Sequence, residues 1–228
     1  MPLDHLTADQ DAPAEARPKR KRRSTGPYKA ADGRREAILD AAIEHFAKWG
    51  YFNSSIPKIA GDVGITKTGL LHHFSNKEVL LTAVLELRDE RALENFFQGQ
   101  LVVEPLEFFA HLAEQAKFNE TQPGLTQMFS TLAAESSNPD NPAHAYFTRR
   151  YKRIIRGFSD MLDRAVADGT VKPDTDVDQV ASEMLAMLDG FAIQWAFEPD
   201  TFSLHDHVFS YLDRLARSIT PDARGLTA

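Results

Sequence analysis

The chain has 228 residues, 43 % of them hydrophobic and 26 % charged, which is enough for one sizeable core or a small domain beside a larger one. It contains no cysteine, so a disulfide framework, a thiolate metal site and cysteine catalysis are all excluded. The net charge of -7 is unevenly spread: residues 1–16 carry -4, residues 17–80 carry +7 and residues 81–228 carry -10, so attraction to a polyanion is expected at one end only.

Residues 1–30 are rich in Pro, Ala, Asp, Lys and Arg and poor in large apolar groups, and are expected to form a disordered tail. The tail carries a basic arm, Lys19, Arg20, Lys21, Arg22 and Arg23. It opens with an acidic stretch lacking the apolar region of a signal peptide, and no later window holds a membrane-spanning apolar run. The expectation is a soluble, cytoplasmic protein with no membrane partner.

From Arg34 the pattern turns helical. Leu39, Ala42, Ile43 and Phe46 fall on one face, and Gly50 follows as a left-handed stop. Ser54 or Ser55 caps a second helix with Pro57 in its first turn, and Gly64 ends it. Thr66 caps a third helix running to Phe74, with Leu70 and Phe74 facing inward. Ser75 to Glu78 has capping-box spacing for a fourth. Further helices are expected at 77–97, 104–119, 124–136, 142–168, 176–197 and 203–219, with prolines between most of them and no strand pattern. In the 142–168 segment Phe147, Tyr151, Ile154, Phe158, Met161 and Ala165 form one stripe, and Arg149, Arg150, Lys152, Arg153 and Arg156 read as a solvated face. The fold class is all-α: a helix-turn-helix domain over 31–80 and a larger helical domain over 81–228.

Two short helices around a glycine turn place the second where its N-terminal side chains reach base edges in a major groove. That helix is TKTGLLHHF. Thr66, Lys67 and Thr68 offer hydroxyl and ammonium groups, Gly69 permits close backbone approach, and His72 and His73 extend the polar edge. The basic arm upstream would reach a neighbouring groove.

With these residues laid out, the segment 34–81 resembles the TetR family of bacterial transcriptional regulators. The resemblance rests on the first helix ending FAKWGY, Ser-Ser-Ile and Ile-Ala in the second, Gly64-Ile65-Thr66, the Leu-x-His-His-Phe end of the third, and Ser-Asn-Lys-Glu opening the fourth. Position by position it implies that Ser55, Lys67, Thr68, Gly69, Leu71, His72, His73 and Lys77 lie at or near double-stranded DNA. The chain departs from the family at Leu71, where Tyr is frequent, at Pro57, where a polar residue is common, and at Gly69, where Thr, Ala or Ser is frequent. Leu71 would then exchange a phosphate contact for an apolar one, such as a thymine methyl.

Gly61 to Thr68 superficially looks like a phosphate-binding loop, but Thr66 stands where glycine is required and no strand precedes it. His72-His73 and His205-x-His207 would diverge on a helix. No metal and no cofactor is expected. In the body Phe108, His111, Phe118, Met128, Phe129, Phe147, Phe158 and Trp195 form a candidate set for a small-molecule effector site, although each singly fits an ordinary core. The pair 176–197 and 203–219 carries long apolar stripes, and the resemblance implies a homodimer through residues 176–219.

The sequence therefore points to a DNA-binding regulator, a homodimeric repressor released from a palindromic operator by a small molecule acting through helix 77–97. The alternatives are a regulator or activator controlled by a protein partner, and an enzyme with a helical substrate pocket. No nucleophile, metal or cofactor motif supports the enzyme reading.

Overall fold

The computed structural model describes residues 27–97 and 104–227, with side chains from Gly33 onward; the basic run Lys19 to Arg23 lies outside the described residues. Among the described residues there are nine helices and no strand: α1 (Pro27–Asn53), α2 (Ile56–Asp62), α3 (Lys67–His73), α4 (Lys77–Phe97), α5 (Pro105–Glu120), α6 (Pro123–Glu135), α7 (His144–Ala167), α8 (Val177–Phe197) and α9 (Leu204–Ile219). The ranges from α4 onward follow the sequence pattern closely. At the start they do not: α1 begins at Pro27, inside the expected tail and before the apolar periodicity sets in.

Local chemistry explains the breaks. Gly50 adopts φ 73° and ψ 164°, a positive φ with extended ψ rather than the expected left-handed helical stop. The chain swings there so that Tyr51 drops into the core edge-on to Phe46, 5.6 Å between ring centroids. The buried Ser54 hydroxyl donates to the carbonyls of Gly50 at 2.8 Å and His45 at 3.0 Å, fastening the turn. Ser55 stands at the N-cap of α2 without a side-chain cap bond, and Pro57 occupies its first turn. Gly64, at φ +71°, ends that helix. Thr66 caps α3 as expected, its hydroxyl accepting from the Gly69 amide at 3.0 Å. The cap of α4 is Asn76, whose side chain accepts from the Val79 amide at 2.8 Å, rather than Ser75. One residue of register separates these readings, because either short polar side chain can serve.

Two apolar clusters hold the molecule together. The first gathers Ile38, Leu39, Phe46, Ile59, Leu70, Phe74, Leu81 and Val84 from α1 to α4, and it also draws in Met128, Phe129 and Leu132 of α6 and Phe147 of α7. The second fills the body with residues of the end of α4 and of α5, α7, α8 and α9. Within it α5 lies against α9 and α7 against α8, while α6 packs on both α1 and α8. Burying each large side chain removes it from water for roughly 1.5–3 kcal/mol. The consequence for function is that α4 spans both clusters and α6 bridges them, so the N-terminal head does not hang freely from the body.

Candidate functional site

Leu70 and Phe74 are the anchors of α3, 0 % and 2 % exposed, and they leave the opposite edge of the helix outward. On that edge Thr66, Lys67, Thr68 and His72 are exposed, and Gly69 and His73 are half-buried. No acidic residue interrupts α3. Leu71 is half-buried and packs against the head cluster, so only part of its side chain is free for an apolar contact. His73 turns into a shallow cleft with Arg35 and Glu78. Ser55 is half-buried at the start of α2, beside exposed Pro57 and Lys58; the sequence reading passed over Lys58. Asp62, exposed at the end of α2, brings a carboxylate close in sequence to this edge, and that carboxylate hydrogen-bonds His45 Nε2. Lys77 donates to the Phe52 carbonyl at 3.3 Å and lies 4.3 Å from the Tyr51 ring centre, and burial lowers its pKa. It is thereby held close to the end of α1.

The body holds a partly open cavity of about 520 Å³ between α4, α5, α6, α7, α8 and α9. Of the sequence-predicted set, Phe108, Phe129 and Phe158 line it. The other five do not. Met128 and Phe147 are in the head cluster, Trp195 is 3 % exposed in the body core, and Phe118 is 43 % exposed against Phe96. His111 sits edge-on to Phe97, with its Nδ1 buried and unpartnered. Periodicity gives the inward face of each helix but not which inward residue meets empty space.

The sequence reading missed the charged wall of the cavity. Asp89 accepts from Arg150 Nε at 3.0 Å, from an Arg153 guanidinium nitrogen at 2.6 Å and from the Tyr146 hydroxyl at 2.9 Å. The Tyr151 hydroxyl donates to Asp189 at 2.8 Å, and burial raises the Asp189 pKa. Arg88 and Arg150 both lie over the ring of Phe129, 4.0 and 4.7 Å from its centre. Arg88 keeps intermediate surface accessibility, yet loss of water and the neighbouring Arg150 charge pull its pKa down to about 10. We take its residual accessibility to open onto the cavity it lines. Arg150 thus belongs to the interior, and only Arg149, Lys152, Arg153 and Arg156 remain on the solvated face read from sequence. A signal was present: Arg150 follows Phe147 by three residues and precedes Ile154 by four, which is the spacing of the apolar stripe.

The stripes of α8 and α9 face the chain's own core. Met184, Trp195, Leu204, Val208, Leu212 and Ile219 are buried within the chain. Val180, Leu188, Phe191 and Leu215 are half-buried against the body cluster, while Ile193 and Phe197, outside the predicted stripe, are 44 % and 82 % exposed. Among the described residues no helix is long and apolar enough to cross a membrane, and no three metal-binding side chains converge.

A helix-turn-helix with an outward polar edge, joined through α4 and α6 to a helical body around a cavity, defines a helix-turn-helix regulator. Two family models match the chain: "Bacterial regulatory proteins, tetR family" over residues 38–84 and "BetI-type transcriptional repressor, C-terminal" over residues 107–217. The chain belongs to the TetR family. It is similar to the HTH-type transcriptional repressor AcnR of Corynebacterium diphtheriae, 26 % identical over 82 % of this chain and 94 % of the relative. Its fold is similar to that of a TetR transcription regulator from Haloarcula marismortui, with TM-score 0.71, 17 % identity, and 83 % and 99 % of the two chains covered. It is likewise similar to the transcriptional regulator FadR of Bacillus subtilis in complex with stearoyl-CoA, with TM-score 0.68, 19 % identity, and 79 % and 97 % covered.

Proposed function

We propose that the protein is a homodimeric, cytoplasmic transcriptional repressor, not an enzyme, which a small-molecule effector releases from a palindromic DNA operator. The observation that carries the reading is the joining of an outward polar reading edge to a partly open cavity through shared helices. Lys67 and Thr68 enter the major groove with Thr66, Gly69, His72 and partly buried Leu71 around them. Ser55, His73 and Lys77 serve the flanking backbone, and Lys19 to Arg23 add sequence-independent attraction. Family membership supports DNA binding, the AcnR relative supports repression, and the stearoyl-CoA complex of FadR supports an effector in the body.

Effector control follows from α4 and α6. Leu93 and Phe97 of α4 and Phe129 and Ser130 of α6 line the cavity, while both helices pack on α1. An effector that binds more tightly to a dimer whose heads are wrongly spaced shifts the population away from the operator-bound form. In a gel-shift titration Lys67→Ala is expected to lose about tenfold or more in operator affinity and to discriminate less against a scrambled duplex. Unchanged discrimination contradicts the assignment of α3 as the reader.

A further inference from the structure

The charged wall carries an inference about the effector's chemistry, which rests on the effector reading above. We propose that the cavity takes an amphipathic monoanion of the carboxylate class, its head group held by Arg88 together with Arg150 and its apolar body lying along Leu93, Phe97, Phe108, Phe158 and Leu188.

Arg88 is the leading observation. Among the described residues it has no hydrogen-bond acceptor and no carboxylate in ion-pair range, although a cation drawn partly out of water without a partner is costly. The nearby carboxylates are committed elsewhere. Asp89 serves Arg150, Arg153 and Tyr146, and Asp189 accepts from Tyr151. The second observation is independent: Nη1 of Arg150 is buried and has no acceptor either. Two guanidiniums that repel each other thus lie over the ring of one phenylalanine, and neither is fully paired. A planar carboxylate matches the fork of a guanidinium and would relieve the repulsion.

The remaining lining sets the rest of the ligand. Leu93, Phe97, Phe108, Leu112, Phe158 and Leu188 supply hydrocarbon, and about 520 Å³ is a small-molecule volume. The inner wall sets two guanidiniums, of Arg88 and Arg150, against two carboxylates, of Asp89 and Asp189, while Arg153 is exposed like Glu86 and Glu90, so the unpaired geometry of Arg88 and not a net positive charge favours an anion. Glu86 and Glu90, exposed among the same lining residues, oppose a head group of higher negative charge.

Calorimetric titration of the full chain with decanoate, 1-decanol and decyltrimethylammonium tests the inference. Decanoate is expected to bind at least about tenfold more tightly than the other two. Arg88→Met keeps an apolar stem, so it should weaken decanoate about ten- to a hundredfold while leaving 1-decanol unchanged, which also reports an intact cavity. Asp189→Asn removes an opposing charge and should strengthen decanoate by roughly threefold, a gain that misfolding would not produce. Equal binding of the alcohol or the cation overturns the anion inference and leaves the effector reading standing, as does a decanoate-to-decanol ratio unmoved by Arg88→Met. Binding of none of the three overturns the inference as well, and leaves the effector reading to be judged by operator release.

Discussion

Asp189 shows how one residue ties stability to the site. Burial raises its pKa above the unfolded value, so ionising it opposes folding. Its contribution is fully present below the unfolded pKa, near 4, and is lost as pH rises through the higher folded value. Asp189→Asn keeps an acceptor for Tyr151 and is expected to melt about 2–4 °C above the wild type at pH 7, equivalent to roughly 1 kcal/mol, with the advantage shrinking toward pH 4. Thermal melts across that range check it; a lower melting point at pH 7 contradicts the buried-charge account. The wall around Asp189 was hard to read from sequence because arginines and aspartates on helices usually mark solvated faces. Arg88, Asp89, Arg150 and Asp189 each stand three or four residues from a buried or half-buried apolar neighbour, so they ride on inward stripes. They have such neighbours in both directions along the helix, whereas Arg149 and Lys152 have one in a single direction, Tyr146 and Ile155; the spacing still cannot pair Asp89 with an arginine 61 positions away.

At the scale of elements, the helices were legible because their signals are local. Thr66 and Gly64 bracket the turn before α3, and Leu70 and Phe74 fix its orientation, all within a few residues. The start of α1 at Pro27 and the cap at Asn76 rather than Ser75 were not, since neighbouring polar residues compete for such positions. The role of α6 was also hidden: the sequence reading assigned coupling to helix 77–97 alone, yet α6 packs directly on α1. Gly124 marks the closest approach, where an added Cβ would lie 2.6 Å from the Ala47 carbonyl oxygen. Gly124→Ala must push α6 away from α1, costing about 1–3 kcal/mol. It is expected to lower the melting temperature and to weaken operator binding without effector. Gly33→Ala, where a methyl meets nothing within 4 Å, should leave stability unchanged or raise it by up to about 1 kcal/mol. Equal melting of the two variants contradicts a tight contact between α6 and α1.

Over the whole molecule, the charge partition and the apolar face of α8 belong to one design. The basic segment 17–80 draws the head to phosphate while the acidic body is repelled by it, so operator affinity should fall steeply with salt. The α8 and α9 stripe is taken up by the chain's own core, and the exposed apolar side chains of α8 are Ile193 and Phe197. Phe197→Asp is expected to weaken self-association about thirtyfold or more, as loss of a large apolar interface side chain does, and to weaken operator binding with it. Sedimentation analysis checks this, and an unchanged association constant contradicts the assigned face. Two heads related by a twofold axis should read half-sites about 35 Å apart or a multiple of that spacing. The central claim, a dimeric sequence reader, is tested most directly by selecting operators from a random duplex pool with the full chain at a fixed salt concentration. The account predicts an enriched inverted repeat with that spacing; a folded protein that enriches no sequence, or only an isolated half-site, would contradict it.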